Sequence, residues 1–374
     1  MDAPIPPQAT PQTNDQMIDW IRLIRSRRVG PATFLRLIRQ FGTASAALQA
    51  LPDIAAGAGV TGYQSSSRTD AAAELQRATA LGAQPLCLGA PAYPKMLHEL
   101  PDVPPLLWAL GDLALVQRPT VAIVGARNAS AVGKRMATAL ARDLGELGYV
   151  VISGLARGID AAAHEAALTH GTIAVQAGGI DVIYPKENAD LTLKIAESGL
   201  RLSERPPGMT PQARHFPSRN RIIAGLAQAI VVVEGASRSG SLITARNALD
   251  IGREVMAVPG SPLDARAAGC NNLIRDGAVL IRNADDIHAA LQPPTAHAAP
   301  PMATEPELPQ PSAPTVGGLP EQILSLLSPT PLPEDIVIRN SGAQATQVMA
   351  ILAELDINGK IERQPGGMVA LATS

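Results

Sequence analysis

The feature that most constrains the fold is the alternation of short apolar runs and longer helical segments between residues 119 and 281. The runs Val121–Val124, Val150–Ile152 and Ile230–Val233 hold no charged residue. The segments between them, such as Ala131–Leu147, carry apolar residues at three- and four-residue spacing, as amphipathic helices do. Continuously apolar strands are typical of parallel sheets covered on both faces. The pattern therefore predicts an α/β fold with an extended, Rossmann-like, doubly wound parallel sheet.

The segments on either side of this region predict further domains. Residues 1–14 are rich in Pro and Gln and are expected to form a disordered leader, whereas residues 15–84 show helical periodicity. Gly30 and Pro31 can end one helix and begin the next, which resembles a SAM or helix-hairpin-helix element. The sheet domain is predicted over residues 85–290, followed by a Pro-rich linker over 291–319. Three short helices and a hairpin then predict a winged-helix domain over 320–374.

Charge and composition exclude several classes of protein. The net charge of −2 excludes a protein that coats nucleic acid or membrane through bulk positive charge, so any such contact must be local. Two cysteines permit neither a disulfide scaffold nor a cysteine-rich zinc site, and they fit a reducing cytoplasm. The sequence contains no apolar run of about 18 residues and no visible signal peptide, so a cytoplasmic protein without a membrane contact is expected.

The two flanking domains differ in charge. Six arginines and one acid lie between Met17 and Gln40, which is compatible with phosphate-backbone contact but also with a solvated helix face, the interpretation that we favour. Between Pro320 and Ser374 there are three basic and six acidic residues. We therefore expect the winged-helix domain to contact protein, or its own chain, and not duplex DNA.

The loops at the strand ends hold the candidate site, because ligands of open parallel sheets bind outside the carboxyl ends of the strands. Gly125–Ser130 has one glycine where a dinucleotide fingerprint needs three, and Arg127 adds a forked donor, so the loop suggests a phosphate site. Ser153–Asp160 has two glycines that would let the backbone approach a phosphate. His164 is interpreted as a packing residue, and Lys186 as a donor from a loop.

Two later loops strengthen the prediction of an anion site. Four arginines and no acid lie between Arg205 and Arg221, and Phe216 sits among them. Guanidinium groups can neutralise phosphates while an aromatic face stacks on an unpaired base. The alternative is a surface loop whose arginines pair with carboxylates such as Glu234. The run Glu234–Thr244 places glycines and small hydroxyls at the start of a helix, where they can donate to an anion.

Several catalytic motifs are missing from the sequence. It has no GxxxxGK[ST] loop, no GxSxG motif and no cluster with metal-ligand spacing, and the predicted rim is rich in anion donors but poor in general bases. The sequence therefore predicts a binding protein that is not an enzyme and needs no cofactor.

The loops, taken in order, resemble the DNA-processing protein A (DprA, or Smf) family over about residues 85–285. The resemblance is carried by the following motifs: Val124–Arg127, Ser153–Asp160 with Ala163 and His164, Tyr184–Pro185, Leu202–Gly208, Phe216–Leu226, Arg238–Ala245, Val258–Gly260 and Gly277–Ala278. The flanking segments also look like accessory domains of the family. The resemblance implies a non-catalytic, homodimeric protein of natural transformation. Such proteins bind incoming single-stranded DNA, protect it and load RecA onto it past single-strand binding protein.

The resemblance also implies that Arg127 and Phe216 lie in a DNA-binding pocket. This chain departs from the family pattern at Gly125–Arg127, where the usual Gly-Ser-Arg is Gly-Ala-Arg, and at Gln176–Gly179, where the usual Leu-Gly-x-Gly is Gln-Ala-Gly-Gly. The residues predicted to bind DNA are Gly125, Ala126, Arg127, Asn128, Ser153, Gly154, Lys186, Arg214, Phe216, Arg219, Asn220, Arg221, Ser239, Gly240, Ser241 and Thr244.

One enzyme class remains as the alternative. A related superfamily of cytokinin-activating, nucleotide-cleaving phosphoribohydrolases carries a PGGxGT loop and a catalytic glutamate. This chain has Pro259–Pro262 in place of that loop, and Glu234 is the one carboxylate at a plausible position.

Overall fold

The computed structural model describes residues 9–292 and 318–372. Two compact units, Met1–Pro293 and Pro294–Ser374, divide the chain. The predicted fold class is confirmed: the first unit joins a helical N-terminal region to a large, mostly parallel sheet, and the second is a winged helix. The predicted linker falls largely on 293–317, outside the described residues.

Ordered structure begins before residue 15, although the disordered leader was predicted to reach residue 14. Residues 1–8 are not described, but Ala9 and Thr10 are buried, and Thr10 Oγ1 donates to the Leu88 carbonyl at 3.5 Å. Disorder up to residue 14 is therefore a wrong expectation, because these side chains are packed into the core. Thr13 and Gln16 form a capping box at the start of the first helix. Four helices follow: α1 (Asn14–Arg25), α2 (Pro31–Phe41), α3 (Ala44–Gly57) and α4 (Arg68–Ala80).

The sheet has nine strands in the order β1-β2-β6-β5-β4-β3-β7-β8-β9. The strands are β1 (Gln84–Cys87), β2 (Leu106–Gly111), β3 (Thr120–Val124), β4 (Val150–Ser153), β5 (Thr172–Gln176), β6 (Leu200–Ser203), β7 (Ala229–Val232), β8 (Glu254–Ala257) and β9 (Val279–Leu280). Strands β3 to β9 pair in parallel, and β2 joins β6 antiparallel. The predicted parallel sheet thus carries a two-stranded antiparallel edge, which the sequence did not indicate.

Helices cover both faces of the sheet, as the apolar strands predict. Ala122 and Val124 of β3 pack in one core, and the alternate residues Val121 and Ile123 pack in another. The covering helices are α5 (Ala131–Glu146), α6 (Ile159–Ala167), α7 (Ala189–Ser198), α8 (His215–Leu226), α9 (Gly240–Asp250), α10 (Ala268–Arg275) and α11 (Ala284–Leu291). Helix α8 begins at His215, and it therefore carries Phe216 and Arg219.

The second unit has a small core of its own, built around Ile323, Val337, Leu352 and Val369. Its elements are α12 (Leu319–Leu326), β10 (Leu332–Pro333), α13 (Glu334–Ser341), α14 (Ala345–Ile357), β11 (Ile361–Gln364) and β12 (Met368–Leu371). The three strands lie in the order β10-β12-β11. Across the described parts of both units, no helix combines the length and apolar character needed to cross a membrane.

Candidate nucleic-acid interface

The strand order places the candidate site at one edge of the sheet. The chain runs from β3 to β4, β5 and β6 on one side, and then returns to β7 on the other side of β3. A crevice opens at such a switch point, because the connections leave neighbouring strands in opposite directions. The loops after β3 and β7 therefore face each other there, and the loop after β4 lies beside the first of them.

An arginine and two aromatic rings form the centre of this edge. The Arg127 guanidinium carbon lies 4.9 Å from the centroid of the Phe216 ring, within the range of a cation–π contact. The Tyr184 ring lies 5.6 Å from the Phe216 ring, between centroids, and its side chain is 47% exposed. Arg127 comes from the loop after β3, and Phe216 from the first turn of α8. Arg127 and Phe216 are 89 positions apart in the sequence, so tertiary packing is what brings them together.

Two cavities flank this centre, and Arg127, Ala156 and Phe216 line both. The first cavity, of about 680 Å³, contains Tyr184, Lys186 and backbone of the loop that holds Gly154. The second, of about 630 Å³, extends along the start of α9. The predicted site residues that line one or both cavities are Gly125, Ala126, Arg127, Asn128, Gly154, Lys186, Phe216, Arg219, Asn220, Ser239, Gly240, Ser241 and Thr244.

The second cavity presents neutral donors at the N-terminus of α9. Ser239 caps the helix by accepting from the Ser241 backbone amide at 3.3 Å, and Thr244 one turn later is 2% exposed. Asn220 Nδ2 donates to the Gly240 carbonyl at 3.3 Å, which fixes α8 against the start of α9. Backbone amides at a helix N-terminus favour an anion, so this wall suits a phosphate.

A buried Asp–Arg arrangement supports the loop after β4. Asp160 Oδ2 accepts from the amides of Gly154 at 3.1 Å and Ala156 at 3.3 Å. Arg219 donates to the carbonyls of Gly154 and Val175. Burial raises the pKa of Asp160 and lowers that of Arg219 to about 10, and their opposite charges act against both shifts. The loop after β4 is therefore held by hydrogen bonds from two buried residues, Asp160 and Arg219, whose charges stabilise each other.

Three of the residues predicted to bind DNA make contacts within the fold. Arg219 lines the second cavity, but it is only 6% exposed, its Nη1 donates to two backbone carbonyls and its Nε donates to Asn220 Oδ1. Arg221 pairs with Glu204 at 2.6 Å and Asp102 at 2.8 Å and lines neither cavity. Ser153 is fully buried and donates to the Ile123 carbonyl at 2.6 Å. All three thus make contacts inside the protein, and the DNA contact predicted for them stays a prediction.

Arg214 has a different position from Arg219 and Arg221. It precedes α8 directly, is exposed, and lies outside the lining of both cavities. An exposed guanidinium next to Phe216 in sequence is compatible with backbone contact by a longer strand. The predicted role of Arg214 in DNA binding stays a prediction.

Four aromatic or cationic residues that line the two cavities were not among those predicted to bind DNA. Tyr184 and Arg157 line the first cavity, and Arg238 and Arg266 line the second. Tyr184, Arg157 and Arg238 belong to loops that follow strands, so their position in the sequence was a signal. Arg266 also follows a strand, β8, but it lies nine positions after the end of that strand, and it pairs with the half-buried Asp264 at 3.0 Å.

Two candidate catalytic groups are engaged within the structure. Both Glu234 carboxylate oxygens accept from Ser130: Oε2 from its amide at 2.9 Å and Oε1 from its hydroxyl at 2.5 Å. His164 Nδ1 lies 2.7 Å from Thr172 Oγ1, and burial lowers the pKa of His164 to about 3, which agrees with the packing role predicted for it. Within residues 9–292 and 318–372, no cluster of His, Cys, Asp or Glu could hold a metal ion.

Comparison with known proteins gives three family-model matches. The models are described as DNA recombination-mediator protein A over residues 84–292, DprA-like N-terminal HHH domain over 14–77, and DprA winged helix domain over 306–367.

Individual relatives agree with these matches. The chain is 47% identical to DNA processing protein DprA of Streptococcus pneumoniae over 202 residues, covering 54% of this chain and 71% of that protein. The crystal structure of that protein matches with a TM-score of 0.56 at 42% identity, over 60% of this chain and 77% of the other. A structure of DNA processing protein A from Helicobacter pylori, described for its single-stranded DNA binding mode, matches with a TM-score of 0.52 at 32% identity, over 56% and 97%. The resemblance seen in the loop motifs is thereby confirmed, and the chain belongs to the DNA recombination-mediator protein A (DprA) family.

Proposed function

We propose that this chain binds single-stranded DNA at the two cavities that meet at Arg127 and Phe216. The observation that carries the proposal is the Arg127–Phe216–Tyr184 group, in which Arg127 and Tyr184 are exposed and Phe216 is half-buried, between two cavities rich in anion donors. An unpaired base can stack on Phe216 or Tyr184 in the first cavity, and a phosphate fits the donors at the start of α9 in the second. A duplex keeps its bases stacked inside, so this arrangement favours single strands.

The binding proposal is tested with fluorescently labelled oligo(dT) and full-length protein. We expect Phe216→Ala to weaken binding by roughly 5- to 100-fold, since base–aromatic stacking is worth about 1–3 kcal/mol. Arg127→Ala should also weaken binding and reduce the salt dependence of log K by about 0.7 for each lost phosphate contact. Arg275→Ala, at an exposed arginine on α10 that lines neither cavity, is the matched control. Wild-type affinity in both pocket variants would sink the proposal.

The biological role extends this proposal beyond the site. As the family resemblance implies, we propose a cytoplasmic homodimer of natural transformation that protects incoming single strands and loads RecA onto them past single-strand binding protein. The H. pylori relative, described for single-stranded DNA binding, supports the strand as ligand. RecA ATP hydrolysis on strands coated with single-strand binding protein should start sooner when this protein is added, and not when Phe216→Ala is added. Equal lag times would contradict the loading role, and sedimentation as a monomer would contradict the dimer.

The nucleotide-cleaving alternative is disfavoured by the position of Glu234. Its carboxylate accepts two hydrogen bonds from Ser130 at the start of α5, and it lines neither cavity. Incubation with nucleoside monophosphates should release no free base. Release that disappears in Glu234→Gln would favour the enzyme.

A further inference from the structure

A third cavity opens beside the first two and shares Arg127 with them. It measures about 530 Å³ and lies between the loop after β3, the start of α5 and the N-terminal half of α6. Arg127, Lys134 and Arg157 bring positive charge to its lining, and Glu165 brings one negative charge. Arg127 therefore stands where all three cavities meet.

The cations of this third cavity are available to a ligand. Lys134 is exposed and has no ion pair within 4 Å among the described residues. In the described part of the chain, Arg157 has one ion pair, with Glu187 at 3.4 Å, and the two side chains are 59% and 61% exposed. Such an exposed pair contributes little, about 0–1 kcal/mol, and does not hold the guanidinium in place.

The backbone beneath these cations is fixed. The Ile159 amide donates to the Ala126 carbonyl at 3.2 Å, which joins the loop after β4 to the loop after β3. Asn188 Nδ2 donates to the carbonyls of Leu155 at 3.0 Å and Ala156 at 3.2 Å. The path from the first cavity to the third is therefore built before any ligand arrives, which lowers the cost of binding.

The lining of the third cavity indicates which part of a strand it takes. Among the described residues, its wall has no aromatic ring, and small residues such as Gly158 and Ala161 lie between the cations. Cations without a stacking surface suit phosphate groups and not bases. We propose that a strand whose base stacks at Phe216 continues past Arg127 into this cavity, where Lys134 and Arg157 bind the phosphates of the adjoining nucleotides. This inference rests on the proposed binding of single-stranded DNA.

The test is the salt dependence of binding to an oligo(dT) long enough to cross all three cavities. For Lys134→Gln with Arg157→Gln in the full chain, we expect the slope of log K against log salt to fall by about 1.4, or 0.7 per phosphate contact. The matched control is Lys194→Gln with Arg275→Gln, two exposed cations outside the three cavities, which should keep the wild-type slope. Unchanged thermal unfolding of both variants shows that the fold is intact.

A variant that should bind oligo(dT) more tightly guards against a loss of affinity caused only by misfolding. Glu165→Gln removes the negative charge of the third cavity and should tighten binding roughly two- to fivefold, as expected for an exposed charge. Glu197→Gln, at an exposed acid on α7, should leave the affinity unchanged.

The outcomes separate this inference from the function on which it rests. If Phe216→Ala loses affinity but the Lys134 and Arg157 changes behave like their control, the strand does not enter the third cavity and the inference is overturned while the proposed function stands. If wild-type protein fails to retain oligo(dT), both are overturned.

Discussion

At the residue scale, arginines that look alike in sequence have different tasks. Arg214, Arg219 and Arg221 lie within eight positions, yet the first is exposed, the second is buried, and the third pairs with Glu204 and Asp102. The cause is helical geometry, because successive positions of α8 point to different sides of the helix. Counting charges along the segment predicted a basic surface, but the direction of each side chain decided which charge reaches it.

Arg219→Ala and Arg214→Ala should therefore fail in different ways. Removing Arg219 leaves two carbonyls without their donor and Asp160 without a compensating charge, so the free energy of unfolding should fall by about 3–5 kcal/mol. Arg214→Ala should leave thermal unfolding unchanged and affect only the affinity for oligo(dT). Urea unfolding followed by circular dichroism measures the first effect. Equal stability of the two variants would contradict the support role of Arg219.

His164 predicts a pH dependence of stability. Its folded-state pKa is lowered to about 3 by burial, so between about pH 6.5 and 3 the unfolded chain binds a proton that the folded chain does not. The stability that neutral His164 contributes is fully present above the unfolded-state pKa. As the pH falls below that value, the free energy of unfolding decreases by up to about 1.4 kcal/mol per pH unit. His164→Asn should flatten the decline measured by urea unfolding between about pH 7 and pH 5. Parallel declines in the two proteins would contradict this role.

At the element scale, the parts with regular periodicity were predicted and the parts that depend on pairing were not. Strand β6 is only four residues long and carries Arg201, whose Nε donates to Gln176 Oε1 at 3.0 Å within the fold. A charge in so short a run hides the strand, because the hydrogen-bond partner that allows Arg201 to be buried lies 25 positions away. Strands β1 and β2 pair antiparallel and extend the sheet past β6. Their role follows from their partners and not from a local pattern.

The close approach of the loop after β4 to the loop after β3 requires a glycine at position 158. Gly158 has a φ of 80°, and a Cβ there would lie 2.2 Å from the Ala126 carbonyl oxygen. Gly158→Ala should destabilise the protein by more than about 1 kcal/mol and weaken oligo(dT) binding, because both loops must shift. Gly57→Ala, on α3 with no atom within 4 Å of the added Cβ, is the control for thermal unfolding and binding. Wild-type melting and affinity in Gly158→Ala would show that the loops tolerate the shift.

At the scale of the whole molecule, the helical N-terminal region and the sheet form one unit. Trp20 Nε1 donates to the Pro105 carbonyl at 3.1 Å, and the buried Glu74 accepts from Arg25 Nη2 at 2.8 Å and from Trp108 Nε1 at 2.9 Å. Arg22 likewise pairs with Asp19 at 3.1 Å. Arg22 and Arg25 are thus engaged in contacts within this unit.

The division into two units predicts the effect of a deletion. All three cavities are lined by residues between Val124 and Arg266, and the winged-helix domain is acidic. Deleting residues 300–374 should therefore leave the affinity for oligo(dT) within about twofold, because an acidic surface repels phosphates. Anisotropy titrations of the full and shortened chains measure this. A large loss of affinity would contradict our proposal that this domain contacts protein or its own chain.

The sequence by itself determined the α/β class, the two flanking domains and the loops that hold the site. These follow from periodicity, from apolar runs and from the order of motifs, all of which are local. The tertiary structure decided that Arg127 meets Phe216 and Tyr184, that Arg219 and Arg221 make contacts within the fold, and that three cavities join at Arg127. The physical reason is that side-chain direction and burial depend on partners distant in the chain.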